Sequence, residues 1–357
     1  MLQSTTSHVY VGSRDPNLGG ILRCPTTGGE WVRLDNGLPS AVAVQAILIH
    51  PHMESTIFIG TAKGVYKSVD AGDHWTACEM PEESFDVWSL LIDPIDHNVM
   101  FAGTAPIGIY RSNDQGLTWQ RMPQSRIPER VQFTPDRIAR GTFYFRVMRI
   151  AFHPINHKRM YALTEINGLM RSDDGGRNWF DCNEGLVNMA NQKHLQIKLA
   201  SENEAEGMLD GHGMWVTPAA PDSVFLALRT GIFRSDDCGD TWAELPLRRD
   251  APLSYAHDIC GFSDIPQVLF AGLGEKAFGH QGGIIKSNDL GQSWQLLNTP
   301  HELHSTIMMM AVNPRNSLEV CAASQRGQIL VSRDGGSEWC EYPLAVDYQF
   351  IYATACG

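Results

Sequence analysis

The sequence predicts an all-β fold, a seven-bladed β-propeller with four-stranded blades. Three observations predict it: a turn motif that recurs along the chain, a four-strand pattern around each copy, and a C-terminal segment that supplies a strand missing from the first blade. Periodic repeats of about 40–45 residues are typical of such radial architectures. We therefore expect residues 1–357 to form one propeller domain.

The recurring motif is Ser-x-Asp-x-Gly-x-x-Trp. Its six full copies occupy residues 68–75, 112–119, 172–179, 235–242, 287–294 and 332–339, and a decayed copy without the Ser and Asp occupies 24–31. Ser and Asp side chains bond nearby backbone N–H groups in turns, Gly adopts conformations closed to other residues, and Trp buries a large ring. Each copy is therefore expected to link two strands of one blade.

The strands around the motif are clearest in the third blade. Short strand-like runs at 87–94, 99–104 and 108–112 precede the motif there, and a fourth run at 119–122 follows it. The first blade lacks a first strand, because residues 8–12 already have the pattern of a second strand. Residues 348–355 follow the last complete blade and are expected to fill this place, which closes the ring and leaves no unpaired sheet edge.

The motif resembles the Asp-box, or BNR repeat, of sialidases, related glycoside hydrolases, sortilin-type receptor domains and a photosystem II assembly factor. The resemblance covers nearly the whole chain and implies the propeller architecture. A sialidase would also have an Arg-Ile-Pro segment before its first box, an arginine triad, and six blades. Here Arg126-Ile-Pro128 follows the third blade, and no carboxylate pair has the pattern of a glycosidase acid and base. Typical sialidase activity is therefore not expected.

Composition restricts the class of partner. The formal net charge is −12 and the pI is near 5.5, which argues against nucleic acid and anionic membranes as partners. No leader-like or membrane-spanning apolar run is present, so a cytoplasmic location is expected. The eight cysteines form no CxxC pair and are expected to be reduced thiols, and no motif for an organic cofactor is evident.

The spacing of the motifs locates three insertions. The tryptophans at 31, 75, 119, 179, 242, 294 and 339 are 44, 44, 60, 63, 52 and 45 residues apart, so a bare blade has about 44 residues. The excess falls in 123–144, 183–211 and 274–282. These connections all emerge on one face of a propeller, which we call the insertion face. Long loops in a compact domain are usually functional.

Titratable residues are expected to converge at the channel mouth on the insertion face. First strands line the channel, and aligning their starts brings together Asp86, Arg146, His212, Tyr255, His257 and His304. We predict His257 or His212 as general base, Tyr255 as acid, and Asp86 as a further catalytic residue. The substrate-binding residues are expected to be Arg146, Arg149 and Trp88, the two arginines holding a carboxylate or similar anion.

Several imidazoles around one funnel also suggest a divalent metal. The predicted ligands are His212, His257 and His304, with His194 and His280 as further candidates from the inserted loops. Three neutral imidazoles can bind a divalent ion, whose bound water then serves as a nucleophile. Alternatively, these residues are hydrogen-bonded side chains that fill a wet channel.

Three functions follow from this pattern. The first is an enzyme that acts on a small anionic or sugar-like molecule by hydrolysis or lyase chemistry. The second is a protein-binding or assembly propeller, for which Arg126, Arg130, Arg137 and Arg140 provide a candidate surface. The third is a carbohydrate-binding propeller that uses Trp88 and Trp215 as stacking platforms.

Overall fold

A computed structural model describes residues 7–81, 86–123, 145–199, 201–346, 348 and 350–357. Within these ranges the strands form seven sheets of four strands each. The innermost strand of each sheet contacts the innermost strands of the two neighbouring sheets, and this contact continues around a complete ring. The fold is therefore the predicted seven-bladed propeller, with a central channel surrounded by seven innermost strands.

The first blade joins the two ends of the described chain. It consists of β28 (Ile351–Cys356), β1 (His8–Ser13), β2 (Gly20–Pro25) and β3 (Val32–Arg33), in that order from the channel outward. The C-terminal β28 pairs antiparallel with β1. The predicted closing strand is thus confirmed, although it begins three residues later than the sequence pattern suggested.

The other six blades each use four consecutive strands, with the first innermost. The second and third blades contain β4 (Val44–Ile49), β5 (Ile57–Thr61), β6 (Gly64–Ser68), β7 (Thr76–Ala77), β8 (Asp86–Ile92), β9 (Met100–Ala105), β10 (Gly108–Ser112) and β11 (Gln120–Arg121). The fourth and fifth contain β12 (Val147–Phe152), β13 (Met160–Thr164), β14 (Gly168–Ser172), β15 (Phe180–Asp181), β16 (Gly211–Thr217), β17 (Ala220–Leu228), β18 (Gly231–Ser235) and β19 (Ala243–Glu244). The sixth and seventh contain β20 (Tyr255–Gly261), β21 (Leu269–Gly274), β22 (Gly282–Ser287), β23 (Gln295–Leu296), β24 (Ile307–Asn313), β25 (Asn316–Ser324), β26 (Ile329–Ser332) and β27 (Cys340–Glu341).

The Asp-box turns have the expected hydrogen bonds, as the third blade illustrates. The buried Ser112 hydroxyl accepts from the N–H of Gly116 at 2.9 Å and donates to Asp114 Oδ1 at 2.7 Å. Asp114 Oδ1 also accepts from the N–H of Thr118 at 2.9 Å. The ring of Trp119 is buried, and its N–H donates to the Gly116 carbonyl. The motif therefore satisfies the polar groups of its own turn and packs one indole into the core.

The core is divided among the interfaces between neighbouring blades. Phe225 and Ile232 of the fifth blade, for example, pack with Ile259 and Leu273 of the sixth. All eight cysteines are free thiols, and six of them are buried: Cys24, Cys182, Cys238, Cys260, Cys321 and Cys356. Among the described residues, no helix has the length and apolar character needed to cross a bilayer.

The second insertion is partly helical rather than an open loop. It contains α1 (Glu184–Met189), a 3-10 helix (Lys193–Leu195) and α2 (Glu206–Leu209). Its apolar side chains pack into the core between the fourth and fifth blades. The carboxylate of the fully buried Glu206 accepts hydrogen bonds from the backbone of Leu199 and from Ser201, which fixes the start of α2.

The remaining connections complete the insertion face. A short helix α3 (Leu247–Asp250) follows the fifth blade. The third insertion lies between β21, which ends at Gly274, and β22, which begins at Gly282. In the first insertion, predicted at 123–144, residues 124–144 lie outside the described residues, and so do Arg126, Arg130, Arg137 and Arg140.

Candidate functional site

One residue in each innermost strand interrupts the pairing of that strand with its neighbour. The seven residues are Gln45, Trp88, Met148, His212, His257, Met308 and Tyr352. A β-bulge leaves one residue unpaired, bends the strand and re-aims a side chain. We call these seven positions the bulge ring. The fold thus provides one re-aimed side chain per blade at corresponding positions around the channel.

Six of the seven ring residues line a cavity of about 280 Å³, which we call the funnel. The exception is Gln45. Other parts of the wall come from the turns between the second and third strands of several blades, namely Arg14, Glu165, Arg229 and Phe278. Arg146 and Tyr255 complete it from the beginnings of innermost strands. The second insertion adds Asp210, whose carboxylate lies beside Arg229 and His212.

Among the described residues, three arginines line the funnel, and each has a carboxylate partner. The pairs are Arg14–Asp86 at 3.5 Å, Arg146–Glu165 at 2.8 Å and Arg229–Asp210 at 2.5 Å. The guanidinium carbons of Arg14 and Arg146 both lie 4.4 Å from the ring centroid of Trp88. Burial and the neighbouring Arg146 charge lower the pKa of Arg14. A guanidinium has five N–H donors, so one carboxylate partner leaves donors for an anionic ligand.

Glu165, Asp210 and His212 form a compact group inside the funnel. Each offers one carboxylate oxygen or ring nitrogen, and these atoms lie within 4.8 Å of one another. Burial raises the pKa of Glu165 to about 7, although the Arg146 charge opposes the shift. The Asp210 side chain is 1% exposed, and its Oδ1 lies 3.5 Å from His212 Nε2. Two carboxyl groups in this small space favour keeping one of them protonated.

Two stacked imidazoles and a phenol lie next to this group. The rings of His212 and His257 are 4.5 Å apart with an interplanar angle of 19°, and the Tyr255 hydroxyl is 3.5 Å from His212 Nε2. Burial lowers the pKa of both histidines well below its usual value and raises that of Tyr255 well above it. The two imidazoles are therefore neutral near pH 7, and the phenol keeps its proton. His257 donates from Nδ1 to the Met308 carbonyl at 2.6 Å.

The structure brings most of the predicted site residues together. His212, His257, Tyr255, Arg146 and Trp88 all line the funnel. Asp86 reaches it through its ion pair with Arg14. Arg149 lies deeper in the channel, where its Nη2 is 3.1 Å from Asp258 Oδ1. Their roles as catalytic or substrate-binding residues remain predictions.

The other predicted metal ligands lie apart from the funnel wall. His304 precedes β24 by three residues, and its exposed side chain does not contribute to the described lining. His194 Nε2 pairs with Glu244 at 2.9 Å, and His280 Nδ1 lies 3.1 Å from an Arg326 nitrogen. The set His212, His257 and His304 is thus not assembled here. The group with metal-ligand geometry at this site is Glu165, Asp210 and His212 instead.

A second group with metal-ligand types lies away from the funnel, at His153, Asp222 and Cys238. The Nδ1 atom of His153 accepts hydrogen bonds from the backbone N–H groups of Ile155 and Asn156. In the neutral ring, Nε2 therefore carries the proton and donates to Asp222 at 3.2 Å. This histidine has no free lone pair for a metal, so the group is a hydrogen-bonded corner between the fourth and fifth blades.

Several important funnel residues were absent from the sequence predictions: Arg14, Glu165, Asp210, Arg229 and Tyr352. Three of them, Arg14, Glu165 and Arg229, occupy the turns between the second and third strands of their blades. Those turns share the insertion face, so a charged residue at this position was the available signal. Asp210 ends the partly helical insertion, and its position depends on how that insertion packs.

Comparison with known proteins shows the fold at low sequence identity. No protein-family model matches the chain, and no curated protein matches its sequence. The GH74 xyloglucanase of Xanthomonas campestris has a similar structure, with a TM-score of 0.61 and 18% identity over 84% of this chain. This chain covers 45% of that enzyme's length.

YCF48 is also similar in structure. YCF48 from Cyanidioschyzon merolae gives a TM-score of 0.59 and 15% identity, covering 87% of this chain and 88% of that one. A structure of YCF48 bound to D1 peptide gives a TM-score of 0.54 and 15% identity, covering 86% of this chain and 82% of that one. The propeller is therefore shared by glycoside hydrolases and by a peptide-binding protein, and the similarity leaves the function open.

Proposed function

We propose that the funnel is the active site of an enzyme that acts on a small anionic, sugar-like molecule by acid–base chemistry. The observation that carries the proposal is the pairing of a neutral imidazole, His212, with a protonated phenol, Tyr255, inside a cavity lined by three arginines. A neutral base beside a neutral acid is the arrangement that proton transfer requires. The volume of about 280 Å³ suits a small ligand.

The arginines would hold the acidic group of the substrate. Arg14 and Arg146 are fixed by Asp86, Glu165 and the Trp88 ring, so they are ordered before a ligand arrives. Preordered donors in a partly desolvated site bind anions well because little side-chain entropy remains to be lost. They would also stabilise negative charge that develops on a carboxylate during the reaction.

Elimination fits this geometry better than glycoside hydrolysis. A glycosidase pair keeps its carboxyl groups about 5 Å or more apart, with each free to face the scissile bond. Here an oxygen of Glu165 is bound to Arg146 and one of Asp210 is bound to Arg229, so both carboxyl groups are already engaged. In an elimination, His212 would remove the proton beside the bound carboxylate, and Tyr255 would protonate the leaving oxygen. The hydrolytic alternative would use Glu165 as the acid.

The proposal is tested by incubating the full chain with uronate-containing oligosaccharides. Elimination creates an ultraviolet-absorbing double bond, whereas hydrolysis creates a new reducing end without that absorbance. Replacing Tyr255 by Phe removes one hydroxyl and should lower turnover by about 10²- to 10⁴-fold, the usual contribution of a positioned acid. Arg146→Gln should mainly weaken substrate binding.

The matched control is His301→Ala, which removes an exposed histidine paired with Glu341 on the surface. Its turnover should equal that of the wild type. Equal losses in His301→Ala and Tyr255→Phe would contradict the assignment. Turnover of uronates that survives Tyr255→Phe unchanged would do so as well.

Binding of a divalent cation is a second candidate role for the same side chains. Asp210 Oδ1 is buried and has no hydrogen-bond partner among the described residues, so it is available as a ligand beside His212. Arg146 and Arg229 already neutralise the two carboxylates, which weakens the case for a further cation. Metal analysis of the untreated protein decides the matter. One equivalent of metal that disappears in Asp210→Asn would favour the metal mechanism.

The binding functions have weaker support. Trp88 is 2% exposed and contacts two guanidinium groups, so its ring offers no free face for stacking a sugar. A protein-binding role is compatible with the shared YCF48 fold, and an acidic peptide would suit the same arginines. Substitution of His212 should leave such binding unchanged, which separates that role from catalysis.

A further inference from the structure

A second cavity lies deeper in the channel, next to the bulge ring. It has a volume of about 230 Å³, and we call it the chamber. Residues that directly follow ring positions form part of its wall: Ala46, Ser89, Arg149, Asp258, Met309 and Ala353. The chamber is therefore one residue further along the same strands that carry the funnel, and Trp88 lines both cavities.

Gln45 is the ring residue that belongs to the chamber instead of the funnel. It is 2% exposed, and neither its Nε2 nor its Oε1 has a hydrogen-bond partner among the described residues. Buried side-chain amides are almost always hydrogen-bonded in native proteins. The bulge leaves this residue outside the strand pairing, and its side chain lines the chamber. The amide of Gln45 is thus a buried donor and acceptor directed into the chamber.

The charged and hydroxyl groups of the chamber already have partners. Arg149 is bound on several sides: it pairs with Asp258 and also donates to the Met148 carbonyl at 2.8 Å and to the Met309 sulfur at 3.4 Å. Asp258 in turn accepts from the Met310 N–H at 2.9 Å. The Ser89 hydroxyl donates to the Val147 carbonyl at 2.8 Å. The indole N–H groups of Trp88 and Trp215 are further buried donors without a partner among the described atoms. The available groups are therefore uncharged, and much of the remaining wall is methionine and aliphatic side chain.

We infer that the chamber is a binding subsite for an uncharged group that carries hydroxyls or an amide, and that Gln45 determines its specificity. The inference rests on the proposed function, because it places the neutral part of the ligand beside an acidic group held in the funnel. A neutral amide can donate to and accept from hydroxyls, but it offers no counter-charge to an anion. The favoured ligand is thus an acid with a hydroxylated body, such as a uronic acid.

Calorimetric titration of the full chain with three probes tests whether the chamber binds an uncharged group. Acetate presents a carboxylate alone, methyl β-glucoside presents hydroxyls alone, and glucuronate presents both. Gln45→Met keeps the size of the side chain and removes its polar atoms. This change should weaken the binding of methyl β-glucoside and of glucuronate by about tenfold, the effect of one or two lost hydrogen bonds. The affinity for acetate should stay the same. Gln120→Met makes the same change at an exposed position of β11 that lines neither cavity, so it is the matched control and should leave all three affinities unchanged.

The possible results separate the two proposals. Equal affinity of wild type and Gln45→Met for the hydroxylated probes would overturn the inference and leave ordered water as the occupant of the chamber. Failure of the wild type to bind either hydroxylated probe would overturn it too. Acetate and glucuronate binding that persists in Arg146→Gln would contradict the proposed function alone. A folding defect in Gln45→Met would also weaken the binding of acetate. In that case Gln45→Glu, which keeps the shape but adds a negative charge to the chamber, should weaken glucuronate more than methyl β-glucoside, and equal effects on the two probes would overturn the inference.

Discussion

Replacement of Arg229 by methionine is expected to lower the free energy of unfolding by about 3 kcal/mol. The Asp210 side chain that Arg229 pairs with is 1% exposed, whereas the Arg229 side chain is 20% exposed. Removal of one partner from a buried ion pair costs about 3–5 kcal/mol, because it leaves an uncompensated charge. The partial exposure of Arg229 and the nearby funnel arginines place the expected value at the lower end of that range.

The loss should depend on the Asp210 charge. In the double variant Arg229→Met/Asp210→Asn no uncompensated carboxylate remains, so it should be more stable than Arg229→Met alone by about 1–2 kcal/mol. Urea unfolding followed by tryptophan fluorescence measures both quantities. The control pair is Lys198–Glu202, whose side chains are 47% and 86% exposed. Lys198→Met should change stability by less than about 0.5 kcal/mol.

Two results would refute this reasoning. One is a loss in Arg229→Met no larger than in Lys198→Met, which would mean that the Asp210 charge is well solvated. The other is a double variant whose loss equals the sum of the two single losses, since independent sites add and coupled sites do not.

Two further predictions concern the Asp-box turns. Ser112→Ala should cost about 1–3 kcal/mol in chemical unfolding, because it leaves the buried Gly116 N–H without its acceptor, whereas Ser293→Ala, at an exposed position of another box, should cost less. The hydrogen bonds of the boxes lower the pKa values of Asp70, Asp114 and Asp174 to about 2. The stabilisation that these three ionised carboxylates provide is therefore fully present above about pH 4, the pKa of Asp in the unfolded chain. It is lost as the pH falls toward 2, the pKa in the folded chain. Acid unfolding curves should show this loss, and its steepness should decrease in Asp114→Asn; an unchanged curve would contradict the assignment.

The sequence was sufficient for the architecture because each blade carries its own turn motif. A Ser, an Asp, a Gly and a Trp at fixed spacing satisfy one turn and fill one part of the core, so local chemistry and the global fold agree. The closing strand β28 could be predicted by counting strands. The helices of the second insertion could not, because α1 and α2 are short and are stabilised by packing between blades rather than by an amphipathic repeat of their own.

The site was predicted in part. His212, Tyr255 and His257 were found because they stand near the beginnings of innermost strands. His304 was placed with them because it precedes the seventh-blade strand, but that strand begins at Ile307, and the histidine is exposed before it. Which residue is bulged depends on how two strands pair with each other. The sequence of one strand is therefore not enough to predict the bulge position.

The bulge ring has a consequence for how such a protein can change. Each ring residue is left out of the hydrogen-bonded pairing between its strand and the next. Its side chain can therefore vary with little effect on the pairing that holds the blade together. The seven positions already contain an amide, an indole, two imidazoles, a phenol and two thioethers. New combinations at these positions would alter the chemistry of the channel while the motif that builds the blades stays the same. A library restricted to the bulge ring would therefore sample ligand specificity on a constant scaffold.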